Sequence, residues 1–193
     1  MNFLAHIYLS GDDDELKIGN FIADSVKGKQ YLKYPERIQK GIILHRAIDS
    51  FTDTHPIVSQ SVSKLFDKYG HYSRVIMDVL YDHFLAANWK NYSDIWLKTY
   101  TEDFYKLLQD NYKVLPKKVQ NFLPYMVSQN WLYSYRTIDG IEKILSQMGR
   151  RITHPVAMNL AVNELREFYS EFEEEFNAFF EELINFVKAE INR

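Results

Sequence analysis

Apolar positions along the chain recur every three to four residues almost from end to end, and that period predicts helices. The spacing predicts a short helix over 2–10 and another over 14–27. The second is entered through Asp12-Asp13-Asp14-Glu15, an acidic run that suits a helix N-terminus. Pro35 opens a helix that runs to Phe51, with Ile38, Ile42, His45 and Asp49 along one stripe. Pro56, at a first-turn position, opens the next, to Tyr69. Further helices are predicted over 73–89 and 93–112. Another is punctuated by Pro116 and Pro124 and runs through Trp131 and Tyr135, and one more starts at Asp139 or Gly140 and ends near Gly149. Over 155–192, Leu160, Leu165, Phe168, Phe172, Phe176, Phe179 and Phe180 mark an amphipathic helix or a broken pair, with Glu on its wet side. Short alternating runs bounded by Asn-Gly or Asp-Gly are absent, since Asp139-Gly140 lies between helical patterns. The expectation is an all-α fold, one helical domain over 1–193.

Composition sharpens this picture. A chain of 193 residues is long enough to bury roughly 70% of its unfolded surface. The 14 Tyr and 13 Phe imply a core built largely from rings, and only 7 Gly and 5 Pro leave few turns. With no cysteine there is no disulfide and no thiolate metal site. The N-terminal Met-Asn-Phe-Leu-Ala-His-Ile-Tyr-Leu-Ser has no basic leader and is followed at once by the acidic run, unlike a signal peptide. No window approaches the ~20 apolar residues that span a bilayer. The expectation is a soluble, cytoplasmic protein without a membrane partner.

Charge is unevenly spread. A net charge of −3 argues against bulk nucleic-acid binding. Yet Lys27, Lys29, Lys33, Arg37, Lys40 and Arg46 lie within 25–46 against a single acid, Glu36, whereas the tail from 164 onward is dominated by Glu. A basic surface would attract an acidic partner or a phosphorylated substrate; a solvated helix face is the competing reading.

The candidate chemistry sits on this frame. His45 and Asp49 are four apart, so one helical turn stacks them on the same face. An imidazole and a carboxylate aimed at one point suit a divalent metal of the manganese, iron or zinc type. Arg46 points a quarter-turn away and can pair with a phosphate through its planar fork. Asp53 follows at i+8, where capping the next helix competes with a ligand role. A second cluster lies at Asp78-Val-Leu-Tyr-Asp-His-Phe84, where a carboxylate in an otherwise apolar run needs a metal or a cation to compensate it. Asp24 closes Gly19-Asn-Phe-Ile-Ala-Asp24, either as a ligand or as a surface acid. His6 reads equally as a ligand or as a buried histidine bonded to a carbonyl. Arg136 is a surface cation within reach of a phosphate. There is no Gly-rich phosphate loop, no Gly-x-Ser-x-Gly elbow and no His-Glu-x-x-His zinc helix. What remains suits metal-assisted hydrolysis of a phosphoester.

These motifs resemble a known family. Met1-Asn-Phe-Leu-Ala-His6, Gly19-Asn-Phe-Ile-Ala-Asp24 with Gly28, and His45-Arg-Ala-Ile-Asp49 with Thr52-Asp53 and Pro56 look like the acyl carrier protein phosphodiesterases. The likeness continues through Asp78, Asp82-His83-Phe84-Leu85, Trp89, Trp131-Leu132, Tyr135-Arg136 and Met148, so it spans 1–150 in order. It implies an all-helical fold related to the HD-domain phosphohydrolases. The implied reaction is manganese-dependent hydrolysis of the phosphodiester joining 4′-phosphopantetheine to a serine of holo acyl carrier protein. One departure from the wider HD group is that His45 is followed by Arg46, and the only doublet is the reversed Asp82-His83.

Residues and resemblance together make Asp24, His45, Asp49, Asp82 and His83 the expected ligands of a Mn²⁺, with His6 and Asp78 in reserve and Mg²⁺ or Fe²⁺ as alternative ions. Asp24, His45, Arg46 and Asp49 carry the catalysis in this reading. Arg46 and Arg136 neutralise the phosphodiester, and Lys27, Lys33 and Lys40 dock the acidic carrier protein. The alternatives are an HD-like phosphohydrolase of a nucleotide or other small phosphoester, and a non-catalytic helical binding protein.

Overall fold

The structure, a computed structural model, describes residues 1–150 and 156–192, and it is helical throughout, with no strand among the described residues. The first helix, α1 (Phe3–Leu9), starts at Asn2, whose side chain accepts from the Phe3 N–H. In α2 (Asp14–Ile22) the Asp13 side chain caps the Leu16 N–H, and Asp14 and Glu15 occupy the positive end of the helix. The helix predicted over 14–27 therefore stops five residues early. A 3₁₀ turn over Ala23–Ser25 follows, then Gly28 in the left-handed region and a 3₁₀ stretch over Gly28–Lys33 with no buried residue.

Helix α3 (Glu36–Thr54) follows Pro35, and α4 (Pro56–Tyr69) begins, as its first-turn proline predicts, at residue 56. His55 between them accepts from the Ile57 N–H through Nδ1, with Nε2 3.2 Å from Glu182. The crossing of α2 and α3 is unusually close. A Cβ on Gly19 would lie 2.1 Å from the Ile38 carbonyl oxygen, and one on Gly41 2.4 Å from that of Leu16. Only glycine permits this approach, and it delivers residues one turn further along each helix to a common point.

The middle of the molecule is α5 (Ser73–Ala87), buried along most of its length and packed on α1 and α4. Next come α6 (Leu97–Asp110) and α7 (Lys117–Ser128); α6 begins four residues later than the spacing predicts. The helix expected to run on through Tyr135 breaks at Asn130, which adopts a left-handed φ of 48°, and resumes as the short α8 (Trp131–Ser134). Thr137 caps α9 (Ile138–Gly149). The tail is the broken pair, α10 (Ala161–Glu167) and α11 (Tyr169–Ile191); position 155 of the predicted tail lies outside the described residues.

Helix α11 buries Phe172, Phe176, Phe179, Phe180, Leu183 and Val187 against α3, α4 and α5. Two buried carboxylates tie it and α10 to α4: Glu175 accepts from Ser61 and Lys64, and Glu164 from Tyr69 and Lys68. The buried apolar side chains join one continuous core. Among the described residues no helix is long and apolar enough to cross a membrane.

Candidate functional site

Three helices meet where His6 of α1, His45 and Asp49 of α3, and Asp24 of the turn after α2 converge. The imidazoles of His6 and His45 stack with centroids 4.0 Å apart and planes 19° from parallel. His45 Nε2 lies 3.0 Å from Asp49 Oδ2 and 3.3 Å from Asp24 Oδ1, and His6 Nε2 lies 3.2 Å from Asp49 Oδ1. Both rings are buried, whereas the Asp24 and Asp49 side chains are 66% and 41% exposed, so the cluster opens to solvent on its acidic side. Despite these short separations no aligned hydrogen bond forms at His6 Nδ1, His6 Nε2 or His45 Nε2. Ligand atoms of His6, His45 and Asp49 all lie within 4.8 Å of one another, a grouping able to hold a metal ion.

The titration behaviour follows from this crowding. Burial disfavours a charged His45, but the Asp24 and Asp49 carboxylates outweigh it and push the imidazole up to about 9. Burial, and then the neighbouring charge of His45, bring His6 down to about 4 against the pull of Asp49. Burial also resists ionisation of Asp49, yet His45 and His6 hold its carboxyl well below the usual carboxylate range. The contact with His45 lowers Asp24 as well. Without a cation, one imidazolium is shared between two carboxylates and the second imidazole is neutral.

Beside the cluster is a cavity of about 370 Å³ with two characters. Asp24, His45, Asp49, Asp53 and Asp78 supply an acidic side, and Phe3, Val75, Trp131, Tyr135, Ile144 and Met148 an apolar wall. Asp78, held in reserve as a ligand, faces this cavity but is engaged by the Met1 ammonium at 2.9 Å.

The second acid-and-imidazole pair is not brought here. The Asp82 carboxylate is fully buried and accepts the backbone N–H groups of Asn2 (3.2 Å), Leu4 (2.7 Å) and Ala5 (3.3 Å), capping α1 from below. Burial pushes it up to about 7, against the pull of the Met1 ammonium and those three donors. His83 is occupied by the Tyr135 carbonyl (2.8 Å) and the Tyr169 hydroxyl (3.2 Å), and burial lowers its pKa. Their oxygen and nitrogen atoms already have partners within the scaffold, whereas His6, expected only in reserve, is grouped with His45 and Asp49.

Neither arginine lines this cavity. Arg46 donates to the carbonyls of Val26 (3.2 Å) and Gly28 (2.9 Å) and lies 5.2 Å from the Tyr31 ring, so it straps the 3₁₀ segment to α3. Arg136 stacks on Tyr133 at 4.7 Å and lines a separate cleft with Lys90, Trp96 and Lys98. Lys27 and Lys33 are exposed on the strapped segment, and Lys40 pairs with Glu36 at 3.3 Å on the surface. Asn20, which spacing alone did not single out, is fully buried and touches His45; an amide amid Ile18, Phe21 and Ile22 was the available signal.

The chain matches the family model described as acyl carrier protein phosphodiesterase over residues 1–183. Proteins carrying that same name are similar along nearly the whole length. One from Pectobacterium atrosepticum is 31% identical over 98% of this chain and 99% of its own. Relatives from Yersinia enterocolitica and Photorhabdus laumondii are 32% and 30% identical, each over 93% of this chain and over 94% and 91% of their own. No solved structure matches. With the match covering all four converging side chains, the chain belongs to the acyl carrier protein phosphodiesterase family.

Proposed function

We infer that the protein hydrolyses the phosphodiester between 4′-phosphopantetheine and a serine of holo acyl carrier protein. Water adds across the bond from phosphorus to the serine oxygen. The serine leaves as a hydroxyl on apo carrier protein, and the phosphate stays on the pantetheine.

The observation that carries a cation in this reading is the set of imidazole nitrogens at His6 and His45 that approach carboxylates without an aligned hydrogen bond. Atoms that crowd one another unaligned suit a shared third body, and two imidazoles with two carboxylates suit a first-row divalent ion. His6, Asp24, His45 and Asp49 would hold Mn²⁺, with Mg²⁺ or Fe²⁺ as alternatives. A divalent ion there supplies Lewis-acid chemistry, neutralising phosphoryl charge and making water a better nucleophile. Kinship to the HD phosphohydrolases is part of the same proposal; it comes from the family resemblance, and the imidazole-and-carboxylate chemistry mounted on helices supports it.

The protein's own groups do the rest. The apolar wall of Phe3, Val75, Ile144 and Met148 excludes water and takes the slender prosthetic arm, while the folded carrier stays at the mouth. Arg46 holds the segment that carries Asp24 at its start and Lys27 and Lys33 along it. Those exposed lysines, together with Lys40, form a face suited to an acidic protein.

The test is to incubate holo carrier protein with the protein and Mn²⁺ and to weigh the product. The expected outcome is loss of the 4′-phosphopantetheine mass, prevented by EDTA. An intact holo carrier protein alongside turnover of nucleotides or small phosphoesters would transfer the site to the HD-like alternative. No turnover and no bound metal would leave a non-catalytic binding protein.

A further inference from the structure

Asn20 sits at the close crossing of α2 and α3, one residue past Gly19, and its side chain is fully buried between α1 and α3. Its amide orientation is dictated by its neighbours. Nδ2 lies 2.8 Å from the His6 carbonyl oxygen and 3.0 Å from Ser10 Oγ. The Ser10 hydroxyl gives its own hydrogen to that same carbonyl at 2.9 Å, so its oxygen is left to accept. Both acceptors need the NH₂ group, so the amide oxygen points the other way, to His45 Nδ1 at 3.2 Å. An acceptor at that position requires Nδ1 to carry a hydrogen. In neutral His45 the lone pair is then on Nε2, the atom 3.0 Å and 3.3 Å from the Asp49 and Asp24 oxygens.

We propose that Asn20 is a positioning residue that locks His45 in its Nδ1–H form, so that Nε2 is presented to a divalent cation between Asp24 and Asp49. The inference rests on the cation reading of the cluster. It adds a reason why a polar residue occupies this close crossing of α2 and α3. Ligating histidines characteristically donate their other N–H to a fixed acceptor, and loss of that partner weakens metal binding. The same amide tethers the α1 backbone at His6, so one side chain registers both imidazoles.

The test uses the full chain stripped of metal. Asn20→Leu keeps the volume but removes the acceptor, and is expected to weaken Mn²⁺ binding by ~10–100-fold, read from free Mn²⁺ in electron paramagnetic resonance. Asn20→Asp keeps an acceptor toward Nδ1–H while losing both NH₂ donors. It is expected to melt earlier than the parent yet bind Mn²⁺ at least as tightly to within ~3-fold, since a carboxylate partner strengthens a histidine ligand. A purely structural Asn20 predicts the reverse link, with metal affinity following melting temperature across the two variants, and that pattern would overturn the proposal. A measurement on the unaltered protein needs no variant to fold. With Zn²⁺ bound and histidines labelled with ¹⁵N, His45 should show a protonated Nδ1 and a ligated Nε2. Ligation through Nδ1 would overturn the role of Asn20 and leave the cation site standing. Failure of the unaltered protein to bind Mn²⁺ or Zn²⁺ would overturn the cation reading itself, and this role with it.

Discussion

Two helices of this protein carry acid and imidazole side by side, and in the folded chain they do opposite things. On α3, His45 and Asp49 stand one turn apart beside His6 and Asp24, with buried ring nitrogens that no hydrogen bond satisfies. On α5, Asp82 and His83 are both buried, and their side-chain oxygens and nitrogens hydrogen-bond to fixed partners. Buried polar groups are nearly always paired in native structures. On the reading proposed above, the pair satisfied by the scaffold belongs to it, and the pair left unsatisfied at the edge of a cavity is the one that would meet a cation.

The contrast is broken most directly at His45. His45→Ala is expected to drop turnover of holo carrier protein by more than ~100-fold, beyond what loss of an outer partner costs, while metal-free melting above pH 9, where the ion pairs of His45 no longer contribute, stays close to that of the parent. If the variant binds Mn²⁺ normally and melts much earlier, His45 is a packing residue and the two helices are alike.

Asp82→Ala should do the converse. It leaves the N–H groups of Asn2, Leu4 and Ala5 unsatisfied beneath α1, with an expected cost of about 3–5 kcal/mol in urea unfolding. Protein that remains folded should bind Mn²⁺ nearly as the parent does. Abolished metal binding in a stable Asp82→Ala protein would make Asp82 a ligand after all.

The pH dependence sharpens the same comparison. His45 is pushed up to about 9 in the folded state. Its ion pairs with Asp24 and Asp49 therefore contribute stability that is fully present below the unfolded value near 6.5 and is lost as pH rises through 9. A ligating imidazole must be neutral, so metal affinity runs the other way, rising ~10-fold per pH unit up to 9 and then levelling. His6, brought down to about 4, is neutral throughout that window and adds no slope. Melting in EDTA and Mn²⁺ titration between pH 7 and 9 should thus change in opposite directions, and the affinity slope should vanish in His45→Ala.

The smallest expected effect is at Arg46. Its guanidinium donates to the Val26 and Gly28 carbonyls, so Arg46→Lys should loosen the segment bearing Asp24 while leaving His6, His45 and Asp49 in place. Turnover is expected to fall ~2–10-fold, the weight of one ordinary hydrogen bond, with metal content unchanged. A far larger loss, confined to the chemical step, would return Arg46 to the substrate phosphate.

Much of this molecule was readable before it was folded. The three-to-four-residue period of apolar side chains determined that it is helical, because only a helix turns that spacing into one buried face. Local chemistry marked the start of α4 at Pro56, whereas the tail was left open between one amphipathic helix and a broken pair. The i, i+4 relation of His45 and Asp49 is a property of any helix and needed no fold. The motifs from Met1 to Met148 identified the family. The end of α2 at Ile22, however, was not legible, and the segment after it is held by Arg46, eighteen positions beyond Gly28. The choice between the two acid-and-imidazole pairs was also beyond the sequence, since Asp82 is satisfied by N–H groups about eighty residues away. Asn20 gained its meaning only when the Gly19–Gly41 crossing brought it against His45. Periodicity and spacing are local, so the chain itself states them. Whether a buried polar atom has a partner depends on what the rest of the chain brings to it, and only the tertiary structure decides that.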